Sequence, residues 1–173
     1  MPNLLCVWLC TSLLFILLLF TLRRILFTST LLVPSPLFPV SPLFPVLILI
    51  PARNESHTLH HLLDSLDALD YPKQLLQIVL INDGSTDDTL TVMTQAVSSR
   101  NNWHILNLEK NVGKAQALNL ALQNYDFGEI VYIFDADHRP QKDCLRVAVS
   151  AFNDSKVAGV SGRTILSNTL ASP

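Results

Sequence analysis

Residues Ile130-Val-Tyr-Ile-Phe-Asp135-Ala-Asp137 set two carboxylates two positions apart, directly after an apolar run. Carboxylates that close repel each other. A divalent cation relieves the repulsion and keeps coordination positions open for the phosphate oxygens of a ligand. Packing gives no reason for such a pair, and a plain acidic turn is the competing reading. His138 follows at once and reads first as a hydrogen-bonding neighbour, second as a further ligand.

Three more polar clusters invite chemistry: Arg53-Asn54-Glu55, Asn82-Asp83-Gly84-Ser85 and Asn111-Val-Gly-Lys114. Asp83 precedes a helical pattern whose free amides attract negative charge. The same Asn, Asp, Gly and Ser also make ordinary turns, and Thr86 or Asp87 can cap the helix. Gly113 and Lys114 at a helix start suit a diphosphate, because amides and an ammonium converge there. A solvated lysine after a turn fits equally well.

Several other chemistries are excluded or disfavoured. Leu108 stands where a triphosphate-binding P-loop needs its first glycine, and Ala115 where it needs Ser or Thr. Arg139 stands where the Asp-x-Asp of a haloacid dehalogenase-type phosphatase needs Thr or Val, and Gly159-Val-Ser-Gly-Arg163 lacks the last glycine of a serine-hydrolase elbow. His57 and His61 are one helical turn apart but oppose the stripe Leu59, Leu62, Leu63 and Leu66, as a solvated face does. Cys6, Cys10 and Cys144 contain no C-x-x-C pair, which disfavours zinc and a disulfide framework.

The elements that must position the clusters are short apolar runs at 46–50, 78–81, 105–108, 130–134 and 157–160, without the polar alternation of a half-exposed strand. Between the first two, Leu59, Leu62, Leu63, Leu66 and Leu69 recur at helical spacing, with Asn54 as cap and Tyr71-Pro72 as stop. Further helices are expected over 87–97, 114–123 and 142–152. The pattern is α/β, an open, mostly parallel sheet with flanking helices. Each polar cluster follows a strand, so all four face one edge, where open α/β sheets bind ligands.

Of the 12 Lys and Arg, only Arg23 and Arg24 precede residue 46, and no acidic residue does. With a net charge of -2 and no basic block, nucleic acid is an unexpected partner. Residues 4–22 are uncharged and apolar over a length near that of a bilayer core, so a single-pass anchor is expected within residues 1–33. No basic residue precedes the run and no small-residue cleavage site follows it, unlike a signal peptide. Arg23 and Arg24 put the C-terminal side in the cytoplasm by the positive-inside bias. On that side the acceptor patterns Asn54-Glu-Ser56 and Asn153-Asp-Ser155 carry no glycan. Whether 25–33 extends the helix or lies in the interface stays open. The tandem Ser35-Pro-Leu-Phe-Pro-Val40 and Ser41-Pro-Leu-Phe-Pro-Val46 reads as a stiff spacer over 34–46, and a folded domain as occupying 47–173.

Taken in order, Pro51-Ala-Arg-Asn-Glu55, Asn82-Asp-Gly-Ser-Thr-Asp87, Asn111-Val-Gly-Lys-Ala-Gln-Ala-Leu-Asn119 and Asp135-Ala-Asp-His138 resemble the family 2 inverting glycosyltransferases of GT-A fold. The likeness spans about residues 47–163, and the Asp-Ala-Asp-His form is similar to membrane polysaccharide synthases such as bacterial cellulose synthase. The resemblance implies that Ala52, Glu55 and Asp83 surround the nucleoside and Lys114 lies near the diphosphate. Asp135 and Asp137 would handle ribose, diphosphate and a Mg2+ or Mn2+ ion that neutralises the leaving group. It also implies a donor linked to uridine diphosphate, in polysaccharide or glycolipid synthesis. Asn82 replaces an aspartate common at that place. The family's later acidic base and the synthases' Gln-x-x-Arg-Trp segment are absent from the 173 residues. The expectation is therefore a donor-binding half, with the base and acceptor half lying in a continuation or a second polypeptide. A membrane-tethered, non-catalytic nucleotide-sugar-binding protein is the alternative.

Overall fold

The computed structural model describes residues 4–30, 43–125 and 128–162; within the first helix, side chains are described for Trp8 and residues 11–24. The chain divides into two units, Met1–Leu37 and Phe38–Pro173. The spacer expected at 34–46 lies outside the described residues up to residue 42.

The first unit holds helix α1, Leu4–Thr30, of 27 residues. It continues through Arg23 and Arg24 as far as Thr30, and residues 31–33 lie outside the described residues. The described side chains are exposed throughout, Leu14 at 73 % and Phe20 at 66 %. Thr11 and Ser12 donate their hydroxyls to the Trp8 carbonyl, and Thr21 donates to Leu18. Over the described residues, no helix is long and apolar enough to cross a membrane.

The second unit is a parallel sheet of four strands, β1 (Val46–Ala52), β2 (Leu76–Asp83), β3 (Trp103–Leu108) and β4 (Ile130–Ile133), in the order β3-β2-β1-β4. Helices α2 (Leu59–Asp67), α3 (Thr89–Val97), α4 (Lys114–Asn124) and α5 (Cys144–Ser150) alternate with the strands or follow them.

Alternate side chains of β1 and β2 sort onto two faces. Ile48, Ile50, Ile78 and Leu80 form one core with Leu59, Leu62, Leu63 and Leu66 of α2, Met93 and Ala96 of α3, and Leu145 and Val149 of α5. Leu47, Leu49, Val79 and Ile81 form the other with Ala117 and Ala121 of α4. Two small alanines let α4 lie close against the sheet. The winding therefore reverses: the chain steps outward from β1 to β2 to β3, then crosses by α4 on the opposite face to β4, on the far side of β1.

Three expectations require correction. Residues 157–160 form no strand; they are irregular and mostly exposed, because no neighbouring described strand offers them a ladder and Ala158-Gly159 supplies little to pack. Strand β4 is an edge strand among the described residues, with Val131 and Ile133 each 45 % exposed, since α4 covers β1 and β2 but not β4. Asn54 caps no helix: α2 begins after Thr58, and Asn54 takes a left-handed φ of 57° in the preceding loop.

The two-sided burial of β2 predicts that Leu80→Ala, at a fully buried position, costs about 2–5 kcal/mol, whereas Val131→Thr on the open face of β4 changes stability by no more than about 0.5 kcal/mol. Urea unfolding of both variants checks this. Equal losses would mean that the face of β4 is covered.

Candidate functional site

The reversal of winding puts the carboxyl ends of β1 and β4 side by side, at the position where an open α/β sheet leaves a crevice. β1 delivers Ala52, buried beside Asn82 in register, and then Glu55. β4 delivers Asp135 and Asp137. The ladder from β1 reaches past the strand, as the Phe134 amide donates to the Leu49 carbonyl at 3.2 Å. Phe134 and Ala136 point into the core, so the intervening carboxylate of Asp135 and the following one of Asp137 turn outward. This is why a small apolar residue separates the two acids.

Asp83, at the end of β2, is only 5 % exposed. Its two carboxylate oxygens accept hydrogen bonds from the amides of Val112 at 2.7 Å and Gly113 at 3.0 Å. Neighbouring Gly84 has a φ of 62°, and a Cβ there would overlap the backbone of Lys110 and Asn111. The Asn111–Gly113 loop is thus clamped onto the end of β2. The clamp sets the start of α4, whose first residue is Lys114. The Lys114 ammonium forms an ion pair with Asp135 across the crevice. Asp83, Lys114 and Asp135 thus form one connected set, in which Asp83 is bonded to the loop that leads into Lys114.

Asp135, Asp137 and His138 can each offer a ligand atom, all within 4.8 Å of one another. The two outward carboxylates suit a hard divalent cation such as Mg2+ or Mn2+. Asp137 is exposed and makes no hydrogen bond or ion pair among the described residues, so its oxygens remain available. His138 accepts the Asp135 amide at Nδ1, 3.2 Å away, and its Nε2 lies 4.0 Å from the second oxygen of Asp135. The ring is thus a hydrogen-bonding neighbour of Asp135 and also one of the three groups able to offer a ligand atom.

A second set of contacts, not anticipated from sequence, ties the β1 loop to the β2 loop. Asn54 accepts the Thr86 amide at 2.8 Å, and its own amide donates to Ser85 Oγ at 3.1 Å. The Glu55 amide donates to Thr89 Oγ1 at 2.8 Å, while its carboxylate accepts the Thr58 hydroxyl. Asp87 accepts amides from Thr89 and Ser56. The Thr89 hydroxyl, followed by the Ser56 contacts, holds the Asp87 carboxyl well below the usual carboxylate range. The only sequence signals were that Asn tolerates a left-handed φ and that Asp-x-Thr favours local capping. Asn82, the family departure, donates to Asn107 at 2.7 Å and accepts the Ser85 amide at 3.2 Å, so its side-chain amide is used on both ends.

The profile of glycosyl transferase family 2 matches residues 47–170. The chain is 32 % identical over 123 residues to the β-monoglucosyldiacylglycerol synthase of Nostoc sp., covering 70 % of this chain and 26 % of that protein. It is likewise 32 % identical over 123 residues to the poly-β-1,6-N-acetyl-D-glucosamine synthase of Staphylococcus aureus, covering 69 % and 28 %. The chain thus spans about a quarter of the length of these relatives. Among solved structures, the mannosyltransferase PcManGT from Pyrobaculum calidifontis, in complex with GDP-Man and Mn2+, superimposes with a TM-score of 0.69 at 30 % identity, covering 81 % of this chain and 41 % of that one. S. aureus TarS 1-349 in complex with UDP-GlcNAc gives 0.58 at 27 %, covering 73 % and 38 %.

Two outcomes are expected. Asp83→Ala strands the Val112 amide, while the Gly113 amide keeps Asn111 Oδ1 at 3.0 Å, and costs about 1–3 kcal/mol, measured by denaturant unfolding. Because the folded-state pKa of Asp87 is depressed, the stability it contributes is full above the ordinary carboxylate value of about 4 and fades as pH falls below it. Asp87→Asn should therefore lose less stability than the wild type between pH 6 and pH 3; parallel pH profiles would show that these contacts do not form in solution.

Proposed function

The chain belongs to glycosyl transferase family 2, and we propose that its second unit binds the donor for sugar transfer to an acceptor hydroxyl in polysaccharide or glycolipid synthesis. The donor is a nucleoside diphosphate sugar, read here as a UDP-sugar, held with Mg2+ or Mn2+. The observation that carries this reading is the meeting of Lys114 with Asp135, beside Asp137 and His138, at the reversal point of the sheet.

In this reading Ala52 and Glu55 border the nucleoside at the end of β1. Asp83 borders the nucleoside as well and keeps the β3–α4 loop in place, and Lys114 meets the diphosphate. Asp135 and Asp137 would hold the metal, which supplies charge neutralisation to the departing diphosphate. During transfer the acceptor oxygen bonds to the anomeric carbon as the bond from that carbon to the diphosphate oxygen breaks. The acceptor proton passes to a base, and the described residues of this site serve the donor side. Support comes from PcManGT, solved with GDP-Man and Mn2+, and from TarS, solved with UDP-GlcNAc, which share the fold at 30 % and 27 % identity.

Helix α1 is proposed to anchor the protein in a membrane, with the second unit on the cytoplasmic side. Its 27 residues rise about 40 Å. The described apolar side chains are exposed all round, and Thr11, Ser12 and Thr21 donate to carbonyls of the helix itself, as lipid surroundings demand.

Calorimetric titration of UDP with Mn2+ into the 173-residue chain should show binding that Asp137→Ala weakens ~10-fold or more. Equal binding by wild type and variant would remove the metal assignment; absent binding by the wild type would remove the donor site.

A further inference from the structure

Lys114 is the first residue of α4, and no acidic residue accompanies it in the first turn. A cation there opposes the helix dipole. Its only strong partner among the described residues is Asp135, which also belongs to the cluster able to hold a metal. The ammonium is bonded to Oδ1 of Asp135, while Oδ2 faces His138. A divalent ion seated between Asp135 and Asp137 would stand close to that ammonium, and the two cations would repel each other. The Lys114 side chain is 56 % exposed on a flexible stem, whereas its backbone is held by the Asp83 clamp. The side chain can therefore swing while its root stays fixed.

We propose that Lys114 is an exchangeable cation for Asp135: it neutralises the carboxylate while the site is empty of donor, and releases it to the divalent ion when a diphosphate draws the ammonium away. The proposal rests on the donor-site reading and extends it to the order of assembly. Metal alone competes with Lys114. Metal with nucleoside diphosphate does not, because the phosphates offer the ammonium a new partner. An exposed ion pair of this kind corresponds to a factor of roughly 1.4 to 5 in an equilibrium constant, weak enough to exchange and strong enough to measure. By linkage, the nucleotide must strengthen metal binding by the factor with which metal strengthens nucleotide binding.

The test is Mn2+ titration of the 173-residue chain, following the spectrum of free Mn2+ by electron paramagnetic resonance, with and without UDP, for wild type, Lys114→Gln and Lys114→Arg. Circular dichroism of each verifies folding. Lys114→Gln should bind Mn2+ without nucleotide about 2- to 5-fold more tightly than wild type, and the enhancement of Mn2+ affinity by UDP should shrink by the same factor. Lys114→Arg, which keeps the cation, should follow the wild type. Nucleotide-free Mn2+ affinity that is unchanged or weaker in Lys114→Gln, alongside normal UDP-assisted binding by the wild type, overturns the exchange and leaves the donor site standing. A wild type that takes up no Mn2+ even with UDP present overturns the donor site and the exchange together.

Discussion

The hydrogen bonds from Val112 and Gly113 to the Asp83 carboxylate are the constraint on which the site depends. They join the end of β2 to the loop after β3, across a contact so close that only a glycine fits at position 84. A carboxylate with both oxygens engaged by amides in a nearly buried setting resists rearrangement, since breaking it would leave the carboxylate and the Val112 amide without partners. The consequence is local precision. α4 starts at one place and in one direction, and Lys114 projects across the crevice to Asp135.

The wider geometry follows from the crossing of α4 to the other face of the sheet. Had the helix after β3 packed on the same face as α2 and α3, β4 would have extended the sheet beyond β3, and two strands would lie between Asp135 and Glu55. Ala117 and Ala121 lie against Leu47, Leu49, Val79 and Ile81, so the alternate face of the central strands was already apolar and awaiting cover. The same side chains that build the second core thus bring β4 beside β1. Fold stability and site assembly share one packing decision.

The β1 and β2 loops are joined separately, through Asn54 with Ser85 and Thr86 and through Asp87 with Ser56 and Thr89. These ties are short-range polar contacts between partly exposed loops, held in place by strands that are nearly dry. Cys144 packs against the core beneath α2 and α5, and burial pushes its thiol up to about 11, so it remains a neutral packing group near neutral pH.

Much of this was legible in the residues themselves. The runs at 46–50 and 78–81 announce strands because burial on both faces demands continuous apolar side chains, the run at 130–134 announces one although only one face of β4 is buried, and the leucines of α2 announce a helix because 3.6-residue periodicity places them on one stripe. The polar clusters after each strand, and the family they resemble, were likewise visible in linear order. Tertiary structure alone decided that β4 lies against β1, that Asp83 spends its charge on backbone amides, that Asn54 bridges loops without capping a helix, and that 157–160 pairs with no strand. The physical reason is one of range. Periodicity encodes what each segment buries, whereas strand order and loop-to-loop hydrogen bonds depend on where distant segments arrive, and those arrivals are set by helix packing on one face or the other.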